Sequence, residues 1–156
     1  MSDPTNGSFA TPQSEPVFMM LKRDDVAEAS RQAQETFSAF HQAMIAQKYP
    51  DGFFCIKAHF SEADGSEGAN LWVAVSQIRT DGYLCEPFEL PKGFTGLQPG
   101  QKVLLQTNNA LDWMIMDGGT LYGGYSLRIQ RTLVPEAEKS QYDAFLGVTT
   151  YSETLP

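Results

Sequence analysis

The chain has 156 residues, 42% of them hydrophobic and 12% aromatic, and its 19 acidic against 11 basic side chains give a net charge of −8. That length suits one domain with a real core rather than two. The charge argues against nucleic acid, since few cations are present to release phosphate counterions, and makes a protein with a basic surface the better electrostatic match. Cys55 and Cys85 lie in no CxxC pattern, and the chain has only two histidines. Free thiols are therefore expected, with no metal, disulfide framework or cofactor.

Residues 1–16, MSDPTNGSFATPQSEP, are rich in Ser, Thr, Pro and Gly and read as a flexible arm. With no basic stretch followed by an apolar one, and no run of membrane-spanning length elsewhere, a cytoplasmic protein without membrane contact is expected. In DDVAEASRQAQETFSAFHQAMIAQKY, Val26, Ala29, Ala33, Phe37, Phe40, Met44 and Ile45 recur at steps that are mostly three or four residues, the stripe of a long helix. Asp25 and Glu28 have the spacing of a capping box, and Pro50-Asp51-Gly52 ends the element. His41 falls opposite much of the stripe and is expected to be solvated.

From Gly52 the period becomes two. FFCIKAHF puts Phe54, Ile56, Ala58 and Phe60 on one face and Cys55, Lys57 and His59 on the other. The acidic loop SEADGSEGAN leads to LWVAVSQIR, Thr80-Asp81-Gly82 turns the chain into YLCEPFEL, and PKGFTGLQPGQ connects to KVLLQT. LDWMIMDGGTLYGGYSLRI then supplies a last hairpin. PEAEKSQYDAFLG predicts a short second helix, with Pro135 near its start and Gly147 as its stop. The expected architecture is α+β, with the long N-terminal helix packed on a curved antiparallel sheet of about five or six strands. Residues 17–147 form one domain in this reading, and 148–156 a C-terminal tail.

The hairpin register can be argued. A two-residue Gly118-Gly119 turn pairs positions summing to 237, so Trp113 faces Gly124 and Asp112 faces Tyr125. A ring over glycine covers bare backbone. Met114, Met116, Leu121, Tyr125, Leu127 and Ile129 then share a face with Asp112, while Leu111, Trp113, Ile115, Tyr122, Ser126 and Arg128 share the other. Both faces are apolar, which calls for a second covering layer, a recognition patch or a sheet that closes on itself. A three-residue turn would instead bring Asp112 diagonally towards Arg128 as an ion pair.

No constellation of catalytic residues stands out. GGTLYGG has the wrong spacing for a phosphate loop, and a strand is expected after it. His59 and Cys85 would make a thiol and base pair only if their strands were adjacent. Glu62, Asp64 and Glu67 lack the ordered spacing of a calcium loop and read as solvated or as contacts for a partner.

NLWVAVSQI, LQPGQKVLL, ALDWMIMDGG and LYGGYSLRI resemble, in order and spacing, the bacterial family catalogued as domain of unknown function 2314, over roughly residues 24–146. Trp72, Gly100, Asp112, Trp113, Met114, Gly123, Gly124, Tyr125 and Arg128 match the family pattern. Ser126 stands where a threonine is usual, and LCEPFELPKGF replaces a short Gly or Asn-Pro segment. The resemblance implies an α+β fold and a bacterial source, with no catalytic residues to carry over. In this reading Asp112 and Arg128 brace the fold.

The chain therefore reads as a non-enzymatic protein-binding domain, foremost an immunity protein that neutralises a toxin by acidic-surface binding. The partner-binding candidates are Glu62, Asp64, Glu67, Glu86, Glu89 and Tyr122, and a monomer is expected outside the complex. A regulatory or stress module binding a small ligand or protein through its sheet is the alternative. A small hydrolase using Asp112, or His59 with Cys85, is the third.

Overall fold

The computed structural model describes residues 21–156. A helix, α1 (Arg23–Ile45), precedes β1 (Phe53–Phe60), β2 (Ala69–Arg79), β3 (Gly82–Pro87) and β4 (Val103–Leu105). After a 3-10 turn at Thr107–Asn109 come β5 (Asp112–Asp117), β6 (Thr120–Gly123), α2 (Tyr125–Leu133), α3 (Lys139–Leu146) and β7 (Thr150–Tyr151). The fold is α+β, with seven strands among the described residues in one open sheet, ordered β4-β3-β2-β1-β5-β6-β7. All pairings are antiparallel except β6 with β7. The seventh strand has two residues and belongs to the segment read as a tail. The N-terminal arm, residues 1–16, lies outside the described residues.

The apolar stripe of α1 works as its spacing predicts. Ala29, Ala33, Phe37, Phe40 and Ala43 are buried, and most of them join Ile56, Ala58, Val73, Trp113 and Ile115 in the main core. Ile45, at the end of the stripe, is 55% exposed. The capping box is absent. The helix starts at Arg23, so Lys22 is the N-cap, with no side-chain acceptor to offer, and Asp25 lies in the first turn, while the Glu28 carboxylate binds Arg31 and Gln32. His41 is not simply solvated either: its Nδ1 lies 2.7 Å from the Tyr83 hydroxyl.

A second layer covers part of the opposite face of the sheet. Cys55, Met114, Leu121, Leu127 and Val148 form a second cluster with Met116, Leu146 and Tyr151. Of the coverings the sequence left open, a second layer is the one observed here.

The hairpin register sums to 237, as in Met114 opposite Gly123 and Asp117 opposite Thr120. Strand structure stops at Gly123, however, and Tyr125–Leu133 is helical. Tyr125, Leu127 and Ile129 gave an alternation of period two, but five residues are too few to distinguish a strand from one helical turn and a half. The local cause is Gly124, the N-cap of α2, held at φ 65° and ψ 44°, where glycine carries no Cβ penalty. Tyr125 consequently packs on the α1 side and not with Met114: its ring lies 5.9 Å from that of Trp113, and its hydroxyl lies 2.9 Å from Thr36 Oγ1.

Candidate functional site

Register sets Trp72, Lys57 and Asp112 in one row across β2, β1 and β5, on the face away from α1. Asp112 is fully buried. Its Oδ1 accepts the N–H groups of Trp113 (2.8 Å) and Tyr125 (3.1 Å), and its Oδ2 accepts the N–H (2.8 Å) and Oγ–H (2.6 Å) of Ser126. A helix leaves its first N–H groups without internal partners. Here a carboxylate from a neighbouring strand satisfies two of them and also meets the positive end of the helix dipole.

Lys57 completes the cluster. Its Nζ donates to Ser126 Oγ at 3.3 Å and lies 5.7 Å from the centre of the Trp72 ring. Burial pushes its pKa down, with the Asp112 carboxylate opposing. Burial likewise raises the Asp112 carboxyl, against the Ser126 hydrogen bonds, the Lys57 charge and the Trp113 N–H. The Ser126 hydroxyl gives its proton to Asp112 and is itself buried, so the arrangement locks β1, β5 and α2 together.

Arg128 does not pair with Asp112. Its Nε donates to the Gly123 carbonyl (2.7 Å) and Nη2 to that of Leu121 (3.0 Å), so it braces the end of β6. Trp113 covers Gly123 rather than Gly124: a Cβ built on Gly123, at φ 69°, would lie 2.5 Å from the indole ring. The indole Nε1 donates to Thr36 Oγ1 at 3.1 Å, tying β5 to α1. Gly100 occupies an open turn at φ 79°.

His59 and Cys85 do not meet. β2 separates their strands, His59 lies 2.8 Å from Asn70 Oδ1, and Cys85 is buried in the α1-side core. Among the described residues, no three His, Cys, Asp or Glu side chains are grouped so as to hold a metal. No helix among them is long and apolar enough to cross a membrane.

The partner-binding candidates fall in different settings. Glu62 accepts the N–H (2.8 Å) and Oγ1–H (2.7 Å) of Thr95, fastening loop 61–68 to the connection after β3. Asp64 accepts the N–H and hydroxyl of Ser66, which hold its pKa down. Asp64 and Glu67 are exposed. Glu86 pairs with Lys102 at 2.5 Å, and Glu89 is partly buried. Tyr122 stacks on Tyr49 with ring centres 5.0 Å apart and packs against the main core. Phe88 meets Phe53 edge to face with ring centres 5.0 Å apart, and the two are 38% and 42% exposed.

Two cavities flank the sheet. One, of about 400 Å³, lies between the end of α1 and β2 and is lined by Met44, Tyr49, Phe54, Val75, Gln77 and Ile78. The other, of about 450 Å³, is lined by Arg128, Arg131, Thr132, Lys139, Tyr151 and Glu153. Sequence reading named only Arg128 of this second set. The rest became visible once α2 had formed, because Arg128 and Arg131 are three residues apart and share a helical face.

Residues 23–149 match the model of a family described as "Uncharacterized protein conserved in bacteria (DUF2314)". The chain is also 26% identical over 138 residues to a protein of Neisseria meningitidis serogroup B named "Putative ankyrin repeat protein NMB1133/NMB1171". That match covers 80% of this chain and 52% of the relative, so the chain spans about half the length of the curated relative it matches. No solved structure matches it significantly.

Proposed function

We propose that this chain, which belongs to the bacterial family DUF2314, is a non-enzymatic protein-binding domain, and more specifically a cytoplasmic immunity protein that neutralises a toxin by covering its active site with an acidic surface. The observation that carries the reading is the bond from Thr95 to Glu62, which fastens the acidic loop 61–68 to the connection after β3 as one fixed surface with Asp64 and Glu67 exposed on it. Charges already held in place lose less freedom on binding, and a net charge of −8 steers a basic partner towards them. A longer relative, named as a putative ankyrin repeat protein, is consistent with a domain that acts through other protein surfaces.

The reading is tested by co-expressing the chain with a secreted toxin domain encoded next to it and following growth. The wild-type chain should restore growth. Reversing Asp64 and Glu67 to lysine should abolish rescue and flatten the salt dependence of complex formation. A wild-type chain that binds no such toxin and restores no growth would sink the proposal. Glu62 is kept out of the reversal, since its loss would also release the loop.

The cavity of about 400 Å³ beside β2 favours a second reading, a regulatory module that takes a small ligand against its sheet. Binding of an uncharged ligand there, with growth rescue absent, would select it.

A further inference from the structure

The cavity between α2, α3 and β7 has a charge opposite to that of the whole chain. Three cations line it, Arg128, Arg131 and Lys139, against the carboxylate of Glu153 and that of Asp143, which pairs with Arg131 at 2.7 Å. These five groups sum to one net positive charge, with Glu136 acting on Arg131 from farther away. Of the three cations, only Arg131 faces a carboxylate within ion-pair distance among the described residues.

The other two are held in place by neutral groups. Lys139 Nζ donates to the carbonyls of Arg131 and Val134, both at 2.7 Å, which leaves one of its three protons for another acceptor. Arg128 uses Nε and Nη2 on the carbonyls of Gly123 and Leu121. Its Nη1 has no hydrogen-bond partner among the described residues. Tyr151 lies beside both guanidiniums, with its ring centre 5.8 Å from that of Arg128 and 5.1 Å from that of Arg131, and its hydroxyl is fixed on Asp143 at 2.6 Å. Cations positioned by carbonyls keep their full charge, and a fork of N–H groups fits the oxygens of a phosphate or carboxylate.

We propose that this cavity binds a small organic molecule through a phosphate or carboxylate group, held by Arg128, Arg131 and Lys139. The charged end occupies a fraction of about 450 Å³, and the remaining space takes an organic body next to Tyr151. Glu153, exposed on the segment after β7, is the carboxylate at the rim that an incoming anion must oppose. The site is separate from the acidic loop of the proposed toxin interface, and neither proposal depends on the other.

The test is a nuclear magnetic resonance titration of the full chain with inorganic phosphate, phenyl phosphate and benzoate, each against sodium chloride at equal ionic strength. Saturable shifts are expected in the amides of residues 128–139 and 151–153. Phenyl phosphate should bind about tenfold more tightly than inorganic phosphate, which isolates the contribution of the organic body. Comparing phenyl phosphate with benzoate tells which oxyanion the site prefers. Lys139→Gln should weaken binding about tenfold and Glu153→Gln should strengthen it several-fold. Glu153 is exposed, so its variant reports even if Lys139→Gln loses the end of α2 and fails to fold. Shifts that chloride reproduces, or a folded Glu153→Gln protein with unchanged affinity, would overturn the proposal.

Discussion

The Asp112 carboxylate and the Ser126 N–H and hydroxyl, 14 positions apart, form the buried joint between β5 and the start of α2. The joint is needed because α2 has Gly124 as its N-cap and no side-chain cap of its own. Asp112→Asn keeps the shape but turns an amide donor towards backbone donors, leaving buried groups unsatisfied. A loss of about 3 kcal/mol is expected in urea denaturation. Ser126→Thr keeps the hydroxyl and should stay within about 1 kcal/mol of wild type. Unchanged stability of the Asp112 variant would refute the joint.

Gly123 and Gly100 separate contact from conformation. Both have positive φ, yet a Cβ at Gly123 meets the Trp113 ring at 2.5 Å and one at Gly100 meets nothing. Gly100→Ala should cost about 1 kcal/mol, the left-handed penalty alone. Gly123→Ala adds a clash with a fully buried ring and should cost roughly 3 kcal/mol or more. Melting temperatures for the two variants, measured side by side, check the difference.

Asp143 makes stability sensitive to acid. Burial alone would raise its carboxyl, but hydrogen bonds from Arg131 and Tyr151 outweigh it and hold the pKa below the usual 3.8. The folded state therefore gains from the ionised form above the unfolded value, and the gain fades as pH falls from about 5 through the folded pKa. Asp143→Asn should be less stable at pH 7 and show a flatter fall in melting temperature below pH 5. Parallel curves for the two proteins would contradict this.

Both cysteines should resist alkylation in the native protein. Burial pushes the Cys85 thiol up to about 12 and raises that of Cys55 well above its ordinary value, with Cys85 adding to the effect at Cys55. At pH 8, reaction with a thiol reagent should follow the unfolding rate, and added urea should speed both sites together.

Long periodic stretches of the sequence were the most legible. The α1 stripe, the alternation of β1 and the Gly118-Gly119 register all survive in the structure. What escaped was decided by single residues acting across space. Gly124 turns the chain from strand to helix, and Asp112 caps that helix from another element. A capping residue twelve or more positions away leaves no local pattern to read. The remainder, LRIQRTL, contains good helix formers ending before Val134-Pro135, a signal that the apparent alternation of Tyr125, Leu127 and Ile129 obscured. Cation clusters such as Arg128, Arg131 and Lys139 emerge only after that helix exists.

β7 is only two residues long, yet it lies along the outer side of β6, where Thr150 and Tyr151 pair with Thr120 and Leu121. The Ser152 N–H then donates to the Leu121 carbonyl at 2.9 Å. Without it, β6 would present bare peptide groups beside the apolar Leu121, a template on which another chain could add a strand. These few residues thus cover backbone groups that could otherwise pair with another chain. Removing residues 148–156 should expose that edge and raise concentration-dependent self-association over the intact chain, as measured by light scattering.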